Sequence, residues 1–525
     1  MKHYLMALAL LLSLTLGMMA CKGNNNEPDP QGRTTSLAVA SCSITEGAYV
    51  DALRTTSVTI MFGNGSMIKL SKTANVTLNG AAVTPKMNGA WTGIEIALAL
   101  EAEKDYELII PEGAVQLYKD STRVNPEFKL HFNTKESQKP VDPGITAHNL
   151  IEKMGFGWNL GNHFDSYNEQ FEFNGSKGIE WGYWDGAKPT QALYTSLVEA
   201  GVKTLRMPVT WGNWQVRENY AIADNFMAEV KQNVDWAIEA GMFVLVNTHH
   251  DEYWQDAVHA LGNQALRDSI EERIKATWQQ IAVAFKDYDN DKLMFETFNE
   301  IHDDNWGWGS LNYNGLCQLM ERWNQIAVDV IRATGGNNAD RWIGVPSFCA
   351  SDIFTVGPKH VLNIPEDPAN KIMVAVHTYA PFEFCTEGKV QQWGHTATEA
   401  GAAKNGEADI RNFFNKLKTE FIDKNIPIYV GEFGCETRAN EADEKYRTYF
   451  MEYLCRASYF AGVPVMLWDN NNNNQGTGGG GECFWYVNHT TGAINTPELL
   501  KKMVGAATST SGTYTLESIY NNAPQ

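Results

Sequence analysis

Positive charge is what this 525-residue chain lacks: 42 Lys and Arg stand against 62 Asp and Glu, a formal net charge of −20. That balance argues against a polyanion such as a nucleic acid and favours neutral or cationic ligands. Cysteine is scarce too, with 8 residues and no CxxC pair. Apart from Cys21, the cysteines at 42, 317, 349, 385, 435, 455 and 483 read as buried thiols with at most an occasional disulfide, and they give no metal framework. The adjacent histidines His249 and His250 come without an HxH or HExxH partner, so no metal and no cofactor is expected. Aromatics are not lacking. The 16 Trp and 20 Tyr are generous, and flat amphipathic rings suit flat ligands such as sugars.

The opening MKHYLMALALLLSLTLGMMAC has a basic start and an apolar stretch from Leu5 to Leu16, too short and wrongly flanked for a stable membrane span. Residues 1–20 read as an export signal. Met-Met-Ala-Cys resembles a bacterial lipobox, which would make Cys21 a lipidated first residue; the alternative is a plain secretory signal with an incidental cysteine. Residues 21–35 form a polar tether. The expected location is therefore exported, lipid-anchored at Cys21 to the outer membrane or cell surface, or else secreted, with a monomeric chain. From 36 to 134, short β-branched segments such as SVTIMF and YELIIP alternate with Gly, Asn and Pro signals, the pattern of an antiparallel immunoglobulin-like sandwich. This module reads as a spacer, with sugar binding through Trp91 as the lesser option. Residues 135–145, with two prolines and no apolar pattern, are the linker.

From residue 146 to 510 the rhythm alternates. Eight apolar strands, GFGWNLG, TLRMPVTW, MFVLVNTHH, LMFETFNE, RWIGVPS, IMVAVHTYA, PIYVGEFG and PVMLWDN, are separated mostly by amphipathic helical stretches. Parallel strands buried on both faces with right-handed crossovers predict an α/β fold, and eight of them predict a closed (β/α)8 TIM barrel with chemistry at the C-terminal strand ends. Those ends carry Asn159 and Asn162, Arg206, His249 and His250, Asn299 and Glu300, His377 and Tyr379, Glu432, and Trp468 with Asp469.

Carboxylates are almost never buried unpaired. Glu300 and Glu432 each end a run too apolar for a solvent-facing strand. Glu296 has the same strand parity as Glu300 but should lie about 13 Å deeper at roughly 3.3 Å per residue, as a structural ion-pair partner. Two glutamates facing across a barrel mouth suit cleavage of a glycosidic bond, one protonated and one ionised. Arg206 beside Glu432 would hold the latter ionised, while aromatic packing and repulsion by that anion would raise Glu300.

The motifs GWNLGNHFD, TLRMPVTW, VLVNTHHDEYW, FETFNEI, VHTYAPF, YVGEFG and VMLWDNN together resemble glycoside hydrolase family 5, the retaining endo-glycanases of cellulase type. The resemblance runs from residue 146 to about 505. It implies Glu432 as nucleophile and Glu300 as acid/base, and Asn299 gripping the 2-hydroxyl of the sugar at the cleavage point. It also implies Tyr379 near the nucleophile, His249 and His377 as surrounding hydrogen-bonding groups, His250 as a hydroxyl contact and Trp468 as a stacking platform. EWGYWDGAKPT, which carries Trp181, resembles the loop after the first strand that lines the non-reducing side, and Trp181 and Asn162 are further candidate substrate contacts. EWGYWDGAKPT departs from the usual loop sequence there, so β-1,4-glucan of cellulose type, xyloglucan and mixed-linkage glucan stand beside β-mannan as substrates. A barrel that binds glycan without cutting it, and a metal-dependent hydrolase, are the other classes.

Overall fold

The computed structural model describes residues 35–44, 46–50, 57–63, 66–72, 75–101, 104–134, 146–168, 183–216, 219–303, 306–307, 312–473 and 482–525. The export signal, Cys21, nearly all of the tether, the linker 135–145 and Trp181 lie outside these residues, apart from the tether's last residue, 35. Among the described residues no helix is long and apolar enough to cross a membrane, and the seven cysteines are free thiols. The chain forms two compact units divided between Glu136 and Ser137.

The first unit is rich in antiparallel strands. Ser57–Phe62 and Asp105–Ile110 show why: every second side chain (Val58, Ile60, Phe62; Tyr106, Leu108, Ile110) is buried, the period of a strand with one wet face. Three small sheets share one apolar core. Ser57–Phe62 lies between Val39–Cys42 and Gly93–Ala97, and Asp105–Ile110 pairs with Phe128–Asn133.

The second unit is a closed barrel of eight parallel strands in sequence order: β1 (Phe156–Asn159), β2 (Thr204–Met207), β3 (Phe243–Asn247), β4 (Leu293–Glu296), β5 (Ile343–Pro346), β6 (Ile372–Thr378), β7 (Ile428–Phe433) and β8 (Val465–Leu467). All but one of the crossovers carry a helix of at least two turns. The exception follows β5, where Asp352–Thr355 makes a single turn. The helix Tyr313–Ala333 illustrates the design: Leu316, Met320, Trp323, Ala327 and Ile331 form its buried stripe, and the Asn312 side chain accepts from Gly315 N at 3.3 Å to cap its start. Leu516, Ile519 and Ala523 join the same core, so the unit extends past residue 510.

Inside the barrel the side chains separate into two layers. The floor is apolar: Leu245, Met294, Trp342, Met373, Ala375 and Met466 pack on Leu150 and Met154 of the helix Thr146–Met154, which precedes β1. Above it sits a polar layer of Asn159, Arg206, Asn247 and Glu296, all fully buried. Tyr429 spans both layers, its ring in the apolar floor and its hydroxyl donating to Glu296 Oε2 at 2.5 Å. Gly344 on β5 makes room for that hydroxyl, because a Cβ there would lie 2.1 Å from Tyr429 Oη. Gly344→Ala is therefore expected to lower stability by about 1–3 kcal/mol through overpacking, seen as a lower melting temperature of the barrel unit. An unchanged melting temperature would contradict this packing.

Candidate functional site

Arg206 points up the barrel axis from β2 and organises what lies above the floor. Its Nε and Nη2 donate to Glu296, the shortest at 2.6 Å, and Nη1 donates to Glu432 Oε1 at 2.7 Å and to Asn159 Oδ1 at 3.0 Å. Nη2 also donates to Asn299 Oδ1 at 2.8 Å. Glu296 and Asn299 thus meet at one nitrogen. The expected 13 Å descent does not occur, because β4 stops at Glu296 and the chain beyond it no longer advances as a strand. Asn247 Nδ2 completes the shell of Glu296 at 3.0 Å.

Glu432 reaches the mouth through a register irregularity. Its strand pairs Val430 with Val376, but the next partner of His377 is Glu432, so one residue, Gly431, is extra on β7. A Cβ on Gly431 would sit 2.8 Å from His377 Nε2 and 3.4 Å from Arg206 Nε, which only glycine avoids. Both Glu432 oxygens accept hydrogen bonds, one from Arg206 and one from Tyr379 Oη at 2.9 Å.

Among the described residues Glu300 has no guanidinium partner. Its Oε1 lies 2.5 Å from His377 Nδ1. Burial pushes its carboxyl up to about 7 and Glu252 adds repulsion, against the pull of Arg206, His250 and His302. The largest repulsion comes from Glu252, where the sequence suggested Glu432. His377 is pushed down to about 4 by burial and by Arg206, outweighing the attraction of Glu432 and Glu296, so it is a neutral partner near pH 7.

The histidines after β3 take opposite states. Burial, then the charges of His250 and Arg206, hold His249 well below the usual range. For His250, burial is outweighed by Glu252, Asp165 and Glu432, which raise it to about 9. Trp468 stacks on the His249 ring at 5.7 Å and 6°. Asn162, at φ +60, contributes through its backbone: its N donates to Asp165 Oδ2 at 3.0 Å and its O accepts from Asp185 N at 2.9 Å. Nothing in the described residues bears on Trp181. The neighbouring Trp184 lies against Tyr167 and His250, at 5.2 and 5.9 Å between centroids.

Two groups bring possible metal ligands within 4.8 Å of one another: Asp165, His249 and His250, and Glu300, His377 and Glu432. In the first, a cation would have to displace the proton that His250 holds. In the second, the carboxylates are already engaged with Arg206, Tyr379 and His377. The second group also sets the spacing that matters most for chemistry, since an oxygen of Glu300 and one of Glu432 lie within 4.8 Å. Asp165 and Glu252 were within quoted motifs but not singled out. A second acid next to His-His was the available signal for Glu252; Asp165, in a loop of small and polar residues, offered none.

Residues 164–474 match the family described as Cellulase (glycosyl hydrolase family 5). Endoglucanase B of Neocallimastix patriciarum is 32% identical over 375 residues, covering 69% of this chain and 72% of that protein. Among solved structures, a GH5-4 broad specificity endoglucanase from Bacteroides salanitronis has a TM-score of 0.62 at 36% identity, covering 70% of this chain and 97% of that one. A glycoside hydrolase 5 lichenase from Caldicellulosiruptor sp. F32, solved with cellotetraose, has a TM-score of 0.60 at 30% identity, covering 70% of this chain and 96% of that one. The family match takes in more than half of the chain, from the loop after β1 to beyond β8, and with it every strand end described above from β2 onward. The chain belongs to glycosyl hydrolase family 5.

Proposed function

We propose that the protein is an endo-acting β-1,4-glucanase that cleaves with retention, Glu432 acting as nucleophile and Glu300 as acid/base. The observation that carries this reading is the approach of an oxygen of Glu300 to within 4.8 Å of one of Glu432. Retaining enzymes hold the pair about 5–5.5 Å apart, whereas inverting ones leave about 6.5–9.5 Å for a water. Glu432 attacks the anomeric carbon while the proton of Glu300 passes to the glycosidic oxygen, so the C–O bond breaks and the reducing-side chain departs. Glu300, now a carboxylate, takes a proton from water, and that water attacks the same carbon to release the sugar with its original configuration.

The surrounding groups have roles in this scheme. Because a guanidinium only donates, Asn299 Oδ1 is the atom facing Arg206, and its NH2 remains to donate to the 2-hydroxyl. Tyr379 and Arg206 hold one rotamer of Glu432. Trp468, held parallel to His249, serves as the stacking platform for the preceding sugar ring. A β-1,4-glucan is the substrate class supported by relatives named endoglucanase and lichenase. The basic, then apolar, start ending at Cys21 supports export and a lipid anchor there, with the first unit as a spacer.

Three outcomes test the mechanism. Hydrolysis of a cello-oligosaccharide followed by proton NMR should release the β-anomer first; early α-anomer would replace retention by inversion. Glu432→Ala should abolish turnover of every substrate, whereas Glu300→Ala should lose about 10²–10⁴ on cello-oligosaccharides and far less on a substrate whose leaving group needs no proton. Equal losses on both kinds of substrate would undo the assignment of roles. The pH dependence follows from Glu300: the acid must be protonated, its carboxyl is raised to about 7, so kcat/KM should hold below that pH and fall above it. A fall centred near the ordinary glutamate range would mean that burial does not govern this group.

A further inference from the structure

Two of the buried thiols meet. Cys385 ends the single helical turn Phe382–Cys385 in the loop after β6, and Cys435 follows Glu432 just past the end of β7. Both are fully enclosed. Glu436 N donates to Cys385 O at 2.9 Å, so the two chain segments run side by side, and Cys435 Sγ lies 3.7 Å from Phe384 O, against the peptide that leads into Cys385. The two thiols are themselves hydrogen-bonded to one another.

Their surroundings make the two sulfurs unlike. Arg438 Nη2 donates to Cys435 Sγ at 3.4 Å, and the buried Arg447 donates through Nε to Cys435 O at 2.9 Å. Burial, which would raise the Cys435 thiol, is outweighed by the hydrogen bond from Cys385 and then by Arg438 and Arg447, with Glu444 opposing, so Cys435 lies below the ordinary thiol range. Burial, then Cys435, hold Cys385 well above it. A lowered thiol beside a guanidinium, with a second thiol in contact, is the arrangement that thiol–disulfide exchange uses.

In the structure both sulfurs are free thiols, but an exported chain folds where disulfides form and persist. We propose that Cys385 and Cys435 close into a disulfide as the exported chain folds, bolting the loop after β6 to the end of β7. The oxidant is a second disulfide, that of a small molecule or of an exchange protein in the same compartment. The Cys435 thiolate attacks one of its sulfurs and expels the other as a thiol. Cys385 then gives up its proton and attacks the Cys435 sulfur, so the mixed disulfide breaks and the second thiol leaves; two electrons pass to the oxidant, and two protons end on its thiols. Because both sulfurs are sealed from solvent, the exchange precedes docking of the turn Phe382–Cys385. The bond joins the segments that carry Tyr379 and Glu432, whose side chains meet at 2.9 Å, and so gives the setting of the nucleophile a covalent tie. The timing rests on the export reading above, whereas the pairing rests on the contacts alone.

The test takes the full-length chain, reduced and unfolded in urea, and refolds it in a mixture of oxidised and reduced glutathione. Free thiols are blocked with N-ethylmaleimide and the protein is digested without reductant. Mass spectrometry should find one linked peptide joining Cys385 to Cys435, and the refolded chain should melt roughly 3–8 °C above the same chain kept in reductant. Cys385→Ser should abolish that difference. Both cysteines blocked by the reagent, either one joined to a different cysteine, or a melting difference that survives in Cys385→Ser would overturn the proposal. The same linked peptide is expected, without any refolding, in chain collected from the envelope of a producing bacterium, and its absence from exported chain would overturn the proposal as well. A chain that closes the pair in glutathione but stays inside the cell would uphold the pairing and overturn export.

Discussion

One buried guanidinium holds the site together. Arg206 is fully enclosed, and its donors go to Glu296, Glu432, Asn159 and Asn299. These come from β1, β4, β7 and the loop after β4, so a single planar fork fixes the relative positions of elements far apart in sequence. Lysine could not replace it, since a point charge with three donors cannot address four acceptors in a plane. The arrangement is not an inexpensive source of stability. Two buried carboxylates share one cation, and the imbalance is met by neutral donors: Tyr429 and Asn247 on Glu296, and Tyr379 on Glu432. Breaking a buried pair by removing one partner typically costs about 3–5 kcal/mol, chiefly through the stranded charge. The polar layer is thus a commitment that the apolar floor beneath it must support.

The same layer makes two chemically identical side chains unlike each other. Glu432 is tied to the cation directly, whereas Glu300 touches a histidine that burial keeps neutral and is repelled by Glu252. Environments that pull two carboxyl groups apart define an acid and a base on one fold. The histidine pair after β3 repeats the principle, with His249 neutral and His250 charged although they adjoin in sequence. Burial alone would discharge both. Glu252, 3.8 Å from His250, decides the difference, since Asp165 is as near to His249 as to His250, at 3.9 and 4.0 Å.

Much of this was legible in the sequence because barrels convert order into position. Eight apolar runs could be read as eight strands, seven of them delivering polar or aromatic side chains to one rim, and the barrel closes in that order. What escaped was local geometry. Extrapolating β4 at a constant rise put Glu296 far below Glu300, yet the strand ends and Asn299 shares an Arg206 nitrogen with Glu296. Repulsion of Glu300 was laid to Glu432, but the largest comes from Glu252, whose place depends on a loop and not on a period.

Gly431 shows how fine that local control is. On a regular strand, side chains alternate between faces, and Tyr429 already points into the barrel. Glu432 is of the opposite parity and would face the helices outside, where an acid has no use. The irregularity at Gly431 cancels one step of the alternation and turns Glu432 inward, toward Arg206. The residue that permits this must also have no side chain, because the His377 ring closes over it at a distance a Cβ could not tolerate. The aim of the carboxylate is therefore set by the residue before it, through what that residue lacks. It follows that the glycine and the glutamate of YVGEFG form one functional unit, in which neither the charge nor the bulge would serve without the other.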